Sequence, residues 1–245
     1  MGYYNYQSGL IYRHLNQSGG WDSHLEHCRN FILKAIDLQK PEKITVLGSG
    51  WLLELPLAEM VEKVNVVCLA DIVHPPEVIQ QVRSLNKVIL HETDITGGLI
   101  REVWQKTRNY SFFNKLKSLN GIIIPEYEPE WDPGMVVSLN ILTQLESLLI
   151  DYLRKRSTIC EDEYNRFRTA IQRSHIDFLK KHKSVLITDY SEVTTKNNGA
   201  FSTFTSLLTD LPSSGVKEEW SWDFDKAGSD FYNSTSIMKV VALVL

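Results

Sequence analysis

The stretch from Lys43 to Asp71 constrains the fold of this chain more than any other. The apolar run Ile44–Leu47 leads into Gly48-Ser49-Gly50, and a second apolar run, Val64–Leu69, follows after a helical segment and ends close to Asp71. This order predicts a strand, a glycine turn, a helix and a second, parallel strand. Glycines at such a turn let a ligand approach the backbone, and an acid after the second strand accepts hydrogen bonds from ribose hydroxyls. The stretch therefore predicts a site for a nucleoside-bearing cofactor.

Each of these residues also has a purely structural interpretation. Gly48 and Gly50 would be needed for a tight strand-to-helix turn even without a ligand. Asp71 would equally serve as the cap of the helix that follows it. The sequence leaves both interpretations open.

Composition limits the classes of protein to which the chain can belong. Its 245 residues, 43% of them hydrophobic, suffice for one elaborated α/β domain. A formal charge of −4 indicates no nucleic-acid partner. The scattered Cys28, Cys68 and Cys160 favour a reducing compartment, so we expect a cytoplasmic protein. The sequence shows no charged-then-apolar segment at its start and no apolar run near 18 residues, so neither a signal peptide nor a membrane span is expected.

The first 40 residues are predicted to form a helical extension. From Trp21 the apolar side chains recur at intervals of three and four, which predicts a helix that packs on the sheet and ends before Pro41. Residues 1–40 are interpreted as a lid over the cofactor cleft, with Arg13 and His24 as candidate contacts. Residues 41–245 are expected to form a single compact unit.

The remaining chain alternates between strand and helix patterns. We predict strands at 87–91, 135–139, 184–189, 219–224 and 235–245, and helices at 78–85, 99–104, 112–119, 142–154, 161–181 and 202–208. The near-continuous apolar strands predict a mainly parallel sheet with helices on both faces. Trp220 and Trp222 alternate with Ser221, so both are expected on the core side of their strand.

At these positions the chain resembles the class I, Rossmann-like S-adenosylmethionine-dependent methyltransferases. That family has a glycine loop after the first strand, acids after the second and third, and a polar residue at the end of the fourth. Gly48-Ser49-Gly50, Asp71, Asp94 and Ser138-Leu139-Asn140 look like these features. The resemblance implies an α/β three-layer sandwich with a seven-stranded, mostly parallel sheet whose C-terminal strand is antiparallel.

The resemblance also implies S-adenosylmethionine as the cofactor and a set of residues that bind it. Asp71 is expected at the ribose, Asp94 at the adenine amino group and Asn140 near the transferred methyl group, although Asp94 and Asn140 would also suit helix caps. The implied binding residues are Gly48, Ser49, Gly50, Trp51, Asp71, Ile72, Asp94, Ile95, Ser138 and Asn140.

The chain departs from the family pattern at two positions. Val46 replaces the acid that usually precedes the glycine loop, so the contact that this acid would make with the amino end of the cofactor is missing. Leu52 replaces the usual third glycine.

The leading hypothesis is methyl transfer to a small molecule. Its catalytic base is unassigned, with Asp189, His24 and Tyr190 as candidates. A non-catalytic scaffold with a degenerate site is the rival hypothesis. A nicotinamide-dependent oxidoreductase is disfavoured by Leu53 and by the terminal strand pair. The sequence predicts no metal site and no particular oligomeric state.

Overall fold

The computed structural model describes residues 2–17, 19–110, 113–228 and 234–245. Its helices are α1 (Tyr3–Leu15), α2 (Asp22–Gln39), α3 (Leu57–Lys63), α4 (Pro76–Val82), α5 (Leu99–Thr107), α6 (Ser147–Arg154) and α7 (Glu161–Leu179). Its strands are β1 (Lys43–Leu47), β2 (Val66–Asp71), β3 (Val88–Glu92), β4 (Met135–Leu139), β5 (Ser184–Lys196), β6 (Phe201–Thr205), β7 (Val216–Asp225) and β8 (Ser234–Val244).

The strands form one mixed sheet in the order β3-β2-β1-β4-β5-β8-β7. Strands β1 to β5 are parallel neighbours along this path, whereas β8 runs antiparallel to both β5 and β7. This arrangement confirms the predicted Rossmann-like α/β sandwich with an antiparallel C-terminal strand. It also places the ends of β1, β2 and β4 side by side at one edge of the sheet.

Two hydrophobic cores cover the two faces of the sheet. Successive residues of a strand point to opposite faces, so Val46 and Leu69 enter one core while Leu47 and Ala70 enter the other. Helices α2, α3 and α4 supply the first core, and α5, α6 and α7 supply the second. The predicted helical face of α2 is buried as expected, from Leu25 to Ile36. No helix in the described ranges is both long and apolar enough to cross a membrane.

The sequence-based helix at 202–208 is wrong, because residues 201–205 form strand β6. Strand β5 continues to Lys196, past its predicted end at Asp189, and offers an edge with which β6 pairs in antiparallel register. The turn between them contains Asn198-Gly199, with Gly199 at φ 82°, a typical hairpin turn. The path through the sheet therefore has seven strands, and β6 is an eighth beside it.

Two further helix predictions need correction. Ser111 and Phe112 lie outside the described residues, and residues 113–119 contain no helix, because Leu116 pairs instead with Ser157 in an isolated parallel bridge. Residues 142–146 form turns, so the helix predicted to begin at Leu142 begins only at Ser147.

Candidate functional site

A crevice lies at the carboxyl edge of the sheet, where the strand order changes direction. From β1 the chain moves outward to β2 and β3, and it then returns to β4 on the other side of β1. In open α/β sheets the connections after such neighbouring strands diverge and leave a ligand crevice. The glycine loop follows β1 directly, so it forms one wall of this crevice.

The two glycines of the loop have different roles. Gly48 has φ 79°, and a Cβ atom there would lie 2.8 Å from the Ile141 side chain and 2.9 Å from the Leu139 carbonyl oxygen. The fold itself therefore requires Gly48. Gly50 has φ 48°, but a Cβ there would come no closer than 3.7 Å, to the Gln7 side chain. Gly50 thus faces open space in the crevice.

The loop keeps a left-handed backbone at the position where the family pattern has a third glycine. Leu52 stands there with φ 62° and is almost fully buried in the first core. Asn140, at the end of β4, also has a positive φ of 48°. Asparagine tolerates this conformation, whereas Leu52 is strained in it, and Leu52 lies in the core two residues after Gly50.

Asp71 is the acid of the crevice, and its carboxylate is bonded to the glycine loop. It accepts hydrogen bonds from the backbone N–H of Gly50 at 2.9 Å and of Ile72 at 2.7 Å. Burial raises the pKa of the Asp71 carboxyl, although these N–H donors act in the opposite direction. These bonds join Asp71 to the loop rather than to the first turn of α4.

Helix α1 lies over the crevice and reaches its acid. The Gln7 side-chain amide lies 3.4 and 3.5 Å from the two oxygens of Asp71, and the Trp51 indole N–H donates to the Gln7 carbonyl oxygen at 2.8 Å. Further along α1, the Arg13 guanidinium stacks over the Phe224 ring at 4.3 Å. The N-terminal segment therefore covers the crevice, although α1 has no fully buried residue of its own.

Two small cavities remain beneath α1, and Gln7, Asp71, Ile141 and Gln144 line both of them. The tryptophan compartment, of about 60 Å³, is lined by Trp21, Trp51 and Trp222 together with Gly48, Gly50, Glu54 and Asn140. The tyrosine compartment, of about 50 Å³, is lined by Tyr3 and Tyr6 together with Ile72, Asp94 and Ile95. Eight of the ten sequence-predicted binding residues therefore line one or both compartments.

The other two predicted residues, Ser49 and Ser138, do not line either compartment. The Ser138 hydroxyl lies 2.8 Å from His175 Nε2, within the second face of the sheet, and burial lowers the pKa of His175 to about 4. The Ser49 hydroxyl is buried and has no hydrogen-bond partner within the described part of the chain.

Asp94 acts as a local cap and also lines the tyrosine compartment. Its carboxylate accepts from the Thr96 backbone N–H at 3.0 Å and from the Ile100 N–H, in the first turn of α5, at 3.3 Å. The capping interpretation is thus realised, and the adenine interpretation stays a prediction.

Asn140 joins the crevice to a buried histidine. Its side-chain amide lies 3.1 Å from His24 Nε2, while the Trp220 indole N–H donates to His24 Nδ1 at 3.0 Å and the Trp222 ring stacks on the imidazole at 3.9 Å. Burial lowers the pKa of His24 to about 3, so the ring is neutral at neutral pH. Both ring nitrogens are engaged and the residue is 1% exposed, so His24 is poorly placed to act as a base.

Asp189 and Tyr190, the other two candidates for a catalytic base, line neither compartment. Asp189 is buried and accepts from the Thr143 hydroxyl at 2.5 Å. Tyr190 is packed against the second core, and burial raises the pKa of its hydroxyl. The carboxyl groups that do line the compartments are Glu54, Asp71 and Asp94.

Sequence reasoning missed Gln7, Glu54 and Trp222 as residues of the site. Gln7 and Glu54 lie in segments without a recognisable motif. Trp222 was expected in the core, where it is indeed 4% exposed, but it also borders the crevice. The one available signal was the indole N–H of Trp222, because a buried tryptophan usually needs a hydrogen-bond acceptor.

Larger surface grooves lie elsewhere, and two of them are defined by their lining residues. One, of about 820 Å³, follows the exposed side of α7, and the other, of about 1010 Å³, runs beside β3. The first is lined by residues of both charges, the charged residues that line the second are mainly acidic, and neither contains the glycine loop. Asp94 lines the second groove as well as the tyrosine compartment.

These features define the class of protein: a doubly wound α/β domain with a covered ligand crevice at the point where its strand order changes direction. No family profile matches the sequence, and no curated protein matches it significantly.

Several solved structures align with this chain at low TM-scores. The N-methyltransferase NodS from Bradyrhizobium japonicum WM9, in complex with S-adenosyl-L-homocysteine, aligns with a TM-score of 0.40 and 9% identity over 89% of this chain and 86% of that chain. A DhpI–SAH complex aligns with a TM-score of 0.35 and 9% identity over 98% and 94% of the two chains. Precorrin 8w decarboxylase from Methanobacterium thermoautotrophicum aligns with a TM-score of 0.26 and 13% identity over 86% and 87%. None of these similarities is close enough to assign a ligand.

Proposed function

We propose that this protein binds S-adenosylmethionine in the crevice and transfers its methyl group to a small-molecule acceptor in the cytoplasm. The observation that carries the proposal is Asp71, whose carboxylate is anchored to the Gly50 N–H and borders both compartments. A carboxylate in this place accepts both hydroxyls of a ribose, with the rest of a nucleoside extending to either side.

The chemistry of the lining residues fits this cofactor, but the two compartments are too small to hold it while α1 is closed over them. Ligand sites for molecules of this size measure roughly 300 to 1,000 Å³, whereas the compartments measure about 60 and 50 Å³ and are divided by Gln7. A shift of α1 that withdraws Gln7 from Asp71 would join them. We therefore propose that α1 opens to admit the ligand.

The protein's task in such a reaction is positioning. When bound, S-adenosylmethionine would supply a methyl group on a sulfonium: the acceptor's lone pair would form a bond to the methyl carbon as the carbon–sulfur bond breaks, and S-adenosylhomocysteine would leave with that electron pair. Asp71 would hold the ribose, Asp94 and Ile95 would border the base, and α1 would exclude water after closure. A general base is needed only for an acceptor that is not already a nucleophile.

The experiment is titration calorimetry with S-adenosylhomocysteine, the product of the transfer. We expect the wild-type protein to bind it and Asp71→Asn to bind at least tenfold more weakly, because a charge-assisted bond is lost. Glu92→Gln is the control, since Glu92 is exposed and ends the neighbouring strand β3. Absence of wild-type binding at millimolar ligand would refute the proposal.

A non-catalytic protein is the second candidate, and the Gln7–Asp71 contact favours it, because a side chain of the protein occupies the ligand's expected place. Gln7→Ala distinguishes the two. If α1 gates a working site, this substitution should tighten S-adenosylhomocysteine binding. If the site is degenerate, neither protein will bind.

A further inference from the structure

The tryptophan compartment is chemically unlike the rest of the crevice. Three indole rings and the carboxyl groups of Glu54 and Asp71 border it, and none of the described residues that line it is a lysine, an arginine or a histidine. Aromatic faces and carboxylates both attract cations. The compartment is therefore built for a positively charged group.

Glu54 is the carboxyl of this compartment that could accept a cationic ligand group. It takes part in none of the ion pairs found among the described residues. The nearest guanidinium, that of Arg29, is bonded through its Nε to the Leu53 carbonyl oxygen at 3.1 Å. Burial raises the pKa of Glu54, and a hydrogen bond from Asn140 only partly offsets this effect. Glu54 is half-buried, and the Arg29 guanidinium is the smallest of the influences that lower its pKa, so a cation supplied by a ligand would offset the desolvation of its carboxyl.

Two further polar groups at this compartment have no hydrogen-bond partner among the residues that the structure describes. The Trp222 indole N–H is buried with no acceptor, and one atom of the Asn140 side-chain amide is likewise unsatisfied. Trp222 is 4% and Asn140 6% exposed. Buried polar groups are nearly always hydrogen-bonded, so these two indicate that a ligand completes the site.

From these contacts we infer that the tryptophan compartment holds the α-amino acid end of the cofactor, with Glu54 as the counter-charge of its ammonium group and the Trp222 N–H as a donor to its carboxylate. The inference rests on the proposed function and adds to it. An α-amino acid presents one cation and one anion, and the compartment offers the Glu54 carboxyl, which forms no ion pair with a described residue, and the Trp222 N–H as a donor.

The inference also accounts for Val46. The side chain at that position is fully buried in the first core, so it cannot reach a ligand. Glu54, eight positions later along the chain, is carried to the crevice by the turn that follows the glycine loop. An acid absent from the strand is thus replaced by one from the turn.

Two ligands test the inference: S-adenosylhomocysteine and 5′-methylthioadenosine, which keeps the nucleoside thioether but lacks the amino acid end. We expect Glu54→Gln to weaken S-adenosylhomocysteine binding about tenfold or more and to leave 5′-methylthioadenosine binding unchanged in calorimetry. Trp222→Phe should weaken only the first ligand, about three- to tenfold. Glu62→Gln, an exposed carboxyl on α3, should change neither.

The outcomes separate the inference from the proposed function. If Glu54→Gln weakens both ligands equally or neither, the assignment of Glu54 is wrong, while wild-type binding of both ligands would still support the cofactor site. If the wild-type protein binds neither ligand, both proposals fail. Thermal unfolding of each variant checks that the fold is intact, and Trp222→Phe provides an independent test if Glu54→Gln does not fold.

Discussion

At the scale of single residues, the glycine loop offers a matched pair of substitutions. Gly48→Ala places a Cβ against Ile141 and Leu139 in a left-handed backbone, whereas Gly50→Ala meets only the backbone strain. We expect Gly48→Ala to lower the free energy of unfolding by about 2–5 kcal/mol and Gly50→Ala by about 1–2 kcal/mol. Urea unfolding measures both, and equal losses would contradict the assigned roles.

Asp71 shows why the choice of substitution matters. Replacement by alanine removes the acceptor of the Gly50 and Ile72 N–H groups, and each buried unpaired donor costs about 1–3 kcal/mol. A loss of binding in Asp71→Ala would therefore mix two effects. Asp71→Asn keeps the shape and one acceptor, so it tests the ligand contact with less damage to the loop.

Glu146 should make stability depend on pH. It is 1% exposed, and burial raises its pKa to about 7 although Arg168 Nε lies 3.1 Å and Gln172 Nε2 3.2 Å from its carboxyl. The folded state thus holds this proton more tightly than the unfolded state, whose pKa is near 4.5. The free energy of unfolding should therefore fall as pH rises from about 4.5 to about 7, by roughly 3 kcal/mol.

Glu146→Gln is the corresponding test, because it removes the titrating group and retains an acceptor for Arg168. We expect the variant to match the wild type near pH 4.5 and to be the more stable protein at pH 8. Urea unfolding across this range gives the difference. A difference between the two proteins that does not change with pH would show that Glu146 is ionised in the folded state.

At the scale of elements, α1 is weakly held. It has no fully buried residue, whereas α2 buries seven, including His24, Cys28 and Phe31. Local stability follows buried contacts, so the amides of α1 should exchange with solvent well before those of α2. Trp51→Phe removes the N–H donor to Gln7 and should speed exchange in α1 alone. Equal protection of the two helices would argue against an opening lid.

At the scale of the whole molecule, the cores on the two faces of the sheet share the same strands, so a ligand at the strand ends should stabilise the entire domain. At 100 times its dissociation constant a ligand adds about 2.7 kcal/mol to the free energy of unfolding. For a chain of 245 residues this corresponds to a rise in Tm of about 5 °C with S-adenosylhomocysteine. No rise for well-folded protein would favour the non-catalytic candidate.

The sequence by itself determined the architecture. Apolar strands such as Met135–Leu139 are buried on both sides, so their pattern is continuous and even their boundaries can be predicted. The glycine turn and the acids Asp71 and Asp94 lie at strand ends, which local rules locate well. Sequence reasoning failed where a partner strand decided the outcome, as it did for residues 201–205.

Only the tertiary structure decided the composition of the site. Gln7 reaches Asp71 across 64 positions of the chain, and His24 contacts Asn140 across 116. Glu54 and Trp222 come to one cavity from a turn and from a distant strand. No local periodicity records such contacts, because they depend on how α1 and β7 pack against the sheet rather than on the propensity of any segment.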